Sequence, residues 1–85
     1  MAAPLMIPVP VQPMNKLAVR CLSQLHGFYN GRGDIGRRIG CANALRALLN
    51  STVYIETIQL AAATPGIGGG SLGQVVVEAA RGEVP

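Results

Sequence analysis

The chain has no tryptophan, and Phe28, Tyr29 and Tyr54 are its only aromatic residues. Aromatic side chains bring the largest apolar area per residue to a core, so a core here has to be assembled from aliphatic residues and alanine. Charged residues are scarce, at 13%, which excludes the highly charged composition of a typical disordered chain. Two cysteines, Cys21 and Cys41, are too few for the disulfide framework of a small secreted domain. Both read as small buried apolar residues, with a single bridge between them as the alternative.

Catalytic equipment is equally thin. His26 is the one histidine, on a segment that also carries an apolar stripe. The carboxylates Asp34, Glu56, Glu78 and Glu83 do not pair by spacing, and Ser23, Ser51 and Ser71 have no neighbouring base. A nucleophile or general acid needs a poised partner, so no enzyme is expected. Cys21, His26 and Cys41 match no zinc spacing, so no metal is expected either. Gly68-Gly69-Gly70-Ser71-Leu72-Gly73 has the letters of a dinucleotide turn. The strand that should run straight into such a turn ends too early, and no Lys follows as in a phosphate-binding loop. No cofactor is expected.

With 85 residues, including eleven glycines, the chain has room for one small domain, and a chain of this size buries only roughly 60% of its unfolded surface. Marginal size together with nearly half hydrophobic composition suggests that part of the core comes from another subunit. Charge is unevenly placed. Residues 1–46 hold Lys16, Arg20, Arg32, Arg37, Arg38 and Arg46 against Asp34 alone, whereas residues 47–85 hold Arg81 against Glu56, Glu78 and Glu83. The basic half suits an acidic protein, a nucleic acid or an anionic membrane, or is simply a solvated helical face.

Residues 1–14 form an uncharged arm in which Pro4, Pro8, Pro10 and Pro13 interrupt Leu5, Met6, Ile7, Val9, Val11 and Met14. Each proline sets its own φ and biases the preceding residue toward extended backbone, so the arm cannot be a helix. The same prolines, with no cationic start, argue against a secretory signal. An intracellular or particle-associated setting is expected. Apolar side chains on an extended arm call for burial, either in a partner's groove or back over their own domain.

Beyond the arm, residues 15–85 read as a single domain. Asn15 is a candidate cap for a helix over about 16–29, where Leu17, Ala18, Cys21, Leu22, Leu25, Phe28 and Tyr29 recur at helical spacing. Asn30-Gly31-Arg32-Gly33 is a stop and a turn. These residues with Asp34 also spell Arg-Gly-Asp, which a turn followed by a helix cap explains. Asp34 caps a second helix over about 35–50, with Ile35, Ile39, Ala42, Leu45 and Leu49 as its stripe. Gly36, Gly40 and Ala44 form a small-residue seam suited to close helix packing. The two helices are expected to pair as an antiparallel hairpin.

From Ser51 the residue types change. Residues 52–60 and 74–78 are rich in β-branched side chains and read as two short strands around a glycine-rich loop. The fold class expected is therefore small α+β, with all-α as the alternative. The uncharged stretch Thr57–Val77 is long enough to cross a bilayer, but Pro65 and five glycines interrupt it. Pro65-Gly66-Ile67-Gly68 through Glu78-Ala79-Ala80-Arg81 resembles the glycine-rich first helix of rotary ATPase proteolipid subunits. The second, carboxylate-bearing helix of such a subunit has no counterpart here. The resemblance therefore carries no function and implies only that a glycine-rich segment can be a packed helix.

The segment Asp34–Ala42 resembles the entry into a helix-turn-helix, in which a short helix ends at a glycine, here Gly40. The two strands would make a winged variant, and Arg32, Arg37, Arg38 and Arg46 would then contact phosphates. The function expected first is that of a non-catalytic structural or accessory subunit. It would bind protein neighbours, like or unlike, through Leu5, Met6, Ile7, Val9, Val11 and Met14. A nucleic-acid-binding protein is the alternative, and a single-pass membrane protein the weaker one.

Overall fold

A computed structural model describes residues 8–82 of the chain. Four helices account for most of it: α1 (Lys16–Gly31), α2 (Ile35–Asn50), α3 (Ile58–Ala62) and α4 (Ser71–Ala80). A short 3-10 turn, Pro13–Asn15, leads directly into α1.

The α1–α2 turn follows from local chemistry. Gly33 adopts φ 70°, a conformation open to a residue without Cβ. Its N–H donates to Asn30 O, and Asp34 N–H donates to Tyr29 O, so the last carbonyls of α1 are satisfied in a Schellman arrangement. Asp34 then begins the next helix, its carboxylate accepting from Arg37 N at 3.3 Å. One residue thus closes α1 and opens α2, which makes the hairpin sharp. The hairpin expected from the sequence is present, with α1 two residues longer.

The expected strands are not formed, and among the described residues there is no strand. The fold is all-α. In α4, Gly73, Val76, Val77 and Ala80 are buried at the i, i+3, i+4, i+7 spacing of one helix face. The valine run that suggested a strand is therefore a helix stripe. Residues 51–57 form neither helix nor strand. Their polar groups pair with side chains instead, before Thr57 caps α3 through Oγ1 to Leu60 N. The stretch Thr57–Val77 is divided between α3, a loop and α4, and no helix among the described residues is long and apolar enough to cross a membrane.

Helix α1 packs against both α2 and α4, and α3 packs against α4. The core between them is made of Ala18, Val19 and Leu22 from α1, Ala44 and Leu48 from α2, Ile55, Ala61, Ile67, and the buried face of α4. Each fully buried Leu, Ile or Val contributes about 1.5–3 kcal/mol, and alanines fill the remaining close contacts.

The glycine-rich loop is ordered by its packing. Ile67 is buried, and a methyl placed on Gly73 would overlap the carbonyl oxygen of Gly68, so loop and helix meet backbone to backbone. Near the other end of α4, the Tyr54 hydroxyl donates to Ala80 O at 2.9 Å and satisfies a terminal carbonyl of the helix.

Asn15 joins the two halves of the chain. Expected as a helix cap, it makes no capping bond from its side chain and is fully buried. Its Nδ2 donates to Val53 O at 2.9 Å, and its Oδ1 accepts from Ile55 N at 3.0 Å. It therefore holds residues 53–55 in place through both of its side-chain bonds. Removing one partner of such a buried pair leaves polar groups without bonds. We expect Asn15→Ala to cost about 3 kcal/mol, read as a lower urea midpoint. We expect Gly73→Ala to cost about 3 kcal/mol by overpacking and to disturb resonances of residues 66–73 first.

Candidate functional site

The end of the molecule where the chain enters α1 gathers most of the unusual features. Pro10 is buried. Val11 N–H donates to Leu49 O at 3.0 Å, at the end of α2, where helical carbonyls have no intrahelical donor. Gln12 accepts from Met14 N and donates from Nε2 to Thr52 O at 3.2 Å. Three residues later Asn15 makes the pair described above. The backbone of residues 10–15 is thus fastened to its own domain.

The apolar side chains of that segment point the other way. Val9 is 87% exposed, Val11 62% and Met14 57%, and Leu17 and Val53 are each a little under half exposed. Leu5, Met6 and Ile7 lie outside the described residues. Between the arm and α1 runs a groove of about 310 Å³ lined by Pro8, Val9, Pro10, Pro13, Lys16 and Arg20. Its walls are apolar, and its polar groups are two cations one helical turn apart.

The remaining expected site residues are dispersed. Of the small-residue seam, Ala44 is in the core, whereas a Cβ on Gly36 or Gly40 would meet no neighbour. The expected α2 stripe is likewise redistributed. Cys41, Ala44 and Leu48 face the core, while Ile35 and Ile39 are exposed. Apolar residues surround α2 on nearly every side, so periodicity alone does not choose the buried face.

Arg32, Arg37 and Arg38 meet at the hairpin turn, each with an intramolecular contact. Arg37 Nη1 pairs with Asp34 Oδ2 at 2.7 Å, Arg38 Nη1 reaches Asn30 Oδ1 at 3.5 Å, and the Arg32 guanidinium lies 5.4 Å from the Phe28 ring centroid. Arg46 is exposed more than two turns along α2 and does not join them. The helix-turn-helix geometry is also missing. Helix α2 runs unbroken through Gly40, and there are no strands among the described residues to build a wing.

A second cleft, of about 410 Å³, lies where Leu25, Tyr29, Gly40, Cys41, Leu72 and Val75 approach. Cys21 and Cys41 are free thiols. Burial pushes both up from the ordinary thiol value, so they stay protonated and weakly nucleophilic at neutral pH. Among the described residues no group of three His, Cys, Asp or Glu side chains is placed to hold a metal ion.

No protein family, curated protein or solved structure matches this chain. The functional reading therefore rests on the residues themselves. Sequence reasoning passed over Gln12, took Asn15 for a helix cap, and counted Lys16 and Arg20 only as part of the basic half. The i, i+4 spacing of the two cations beside a proline-rich arm is visible in the sequence, but the groove between them is not.

Asp34 is partly exposed, and its carboxyl is held below the ordinary carboxylate value, first by the hydrogen bond from the Arg37 side chain. A depressed value in the folded state means that the stabilisation is present above the unfolded value and is lost as pH falls through the folded one. Asp34→Asn keeps the capping oxygen and removes the charge. We expect its Tm deficit at neutral pH to disappear on acidification through that range, whereas a deficit independent of pH would rule out the ion pair as its cause.

Proposed function

We propose that the protein is a non-catalytic subunit of a larger assembly. It docks a neighbouring protein through the apolar side chains that its fastened arm turns outward. One observation carries this reading: the Val11 N–H and the Gln12 side chain are hydrogen-bonded to their own domain, yet Val9, Val11 and Met14 remain largely exposed. An arm that served only to cover its own core would turn such side chains inward. Isolated exposed apolar residues are ordinary, but several gathered at one end of a small domain suit an interface.

The anchoring also favours this role energetically. A free apolar arm would lose conformational entropy when it docked, at about 1–2 kcal/mol per residue ordered. Here the backbone of residues 10–15 is ordered before any partner arrives, which lowers the cost of association.

Val11→Ser combined with Met14→Ser tests the reading. Both side chains are exposed and the backbone bonds are kept, so we expect the Tm of the isolated protein to change by no more than about 1 kcal/mol in equivalent stability. In cells producing the protein, native mass measurement should find the wild type in a complex and the double variant as a free chain. A free wild-type monomer, or a complex indifferent to both substitutions, would refute the proposal.

A further inference from the structure

The groove between arm and α1 indicates the chemistry of the partner, on the reading that the arm is a docking surface. Three prolines and the exposed Val9 form its apolar lining, and Lys16 and Arg20 supply its charge. No carboxylate lines it. Neither cation makes an ion pair among the described residues, in contrast to Arg37, and the first turn of α1 contains no acidic residue. In the surrounding half of the chain six cations face Asp34 alone, and that carboxylate already belongs to Arg37.

We propose that this groove receives a short acidic segment of the partner protein. An aromatic or aliphatic side chain would rest on the proline walls, and adjoining carboxylates would pair with Lys16 and Arg20. Proline rings are rigid and give an apolar surface with little entropy left to lose. Two cations one turn apart on a helix face match carboxylates on an extended peptide. A second copy of the chain is a poorer occupant, because its basic half would be brought against an equally basic half.

The test uses the full-length, isotopically labelled protein and a blocked peptide alternating glutamate and phenylalanine, followed by amide resonances. The expected result is saturable shifts centred on Val9, Val11, Lys16, Leu17 and Arg20, weakening as salt is raised. Lys16→Glu with Arg20→Glu should lower the affinity about tenfold, as expected for two exposed ion pairs. The Tm should stay level or rise, because a carboxylate in the first turn complements the helix dipole. Lys16→Gln with Arg20→Gln should give a smaller loss, and serves as the test should the charge reversal unfold the chain.

Four results would each overturn the proposal: no shift at these amides, equal binding of a lysine–phenylalanine peptide, undiminished binding by both variants, or shifts produced by phosphatidylserine vesicles and not by the peptide. Concentration-dependent shifts of the same amides without any peptide would assign the groove to a second copy and overturn it as well. If the peptide fails while the cellular complex still depends on Val11 and Met14, the docking reading stands and the acidic chemistry of the partner is withdrawn.

Discussion

The fold depends on a single buried amide. Asn15 offers one donor and one acceptor, and it gives both to the segment that follows α2. That segment has no β-partner, so without Asn15 the carbonyl of Val53 would lose one of its donors and the buried N–H of Ile55 its acceptor. Water cannot compensate easily, since Asn15 and Ile55 are both fully buried and an unpaired buried polar group costs about 1–3 kcal/mol. The bond also sets where Ile55 enters the core and where Tyr54 meets the end of α4. The second half of the chain is positioned from there.

The same clamp orients the surface. Because Asn15 ends the 3-10 turn, holding it holds Pro13 and Met14, and Gln12 and Val11 bond outward from there to Thr52 and Leu49. The arm therefore uses polar groups of Val11 and Gln12 on its own domain and leaves its apolar side chains at 9, 11 and 14 outside. Pro10 is the exception, turned inward where the chain crosses α2. A proline-rich segment suits this division, since each proline removes a donor that would otherwise need a partner and limits the conformations available to the free chain.

Local signals in the sequence were read correctly where a local interaction determines the structure. Gly33 and Asp34 mark the turn because the left-handed conformation and the helix cap are properties of those residues. Helices α1 and α2 follow from apolar spacing and the absence of interior proline. The two strands were misread because β-branched residues favour extended backbone only when a neighbouring strand can pair with them. Val75, Val76 and Val77 sit beside Gly73 and Ala80 at helical spacing, and packing against α1 and α3 favoured the helix. In α2, apolar residues on nearly every side left the buried face undecided until α1 and the loop took their places.

The sequence by itself determined the hairpin, its turn, the separation of charge between the two halves and the non-helical course of residues 8–12. All of these rest on contacts within a few residues or on the covalent geometry of proline and glycine. The tertiary structure alone decided that Asn15 bonds forty residues away rather than capping its own helix, and that Gly73 must lack a side chain because Gly68 lies against it. It also decided that Lys16 and Arg20 border a groove. These are long-range contacts, selected by the global packing, and neither spacing nor composition encodes which partner a side chain will meet. For the arm, sequence showed that apolar surface had to be accommodated, and structure showed that Val11 N–H and the Gln12 side chain bond to the domain while the side chains of Val9, Val11 and Met14 stay outside.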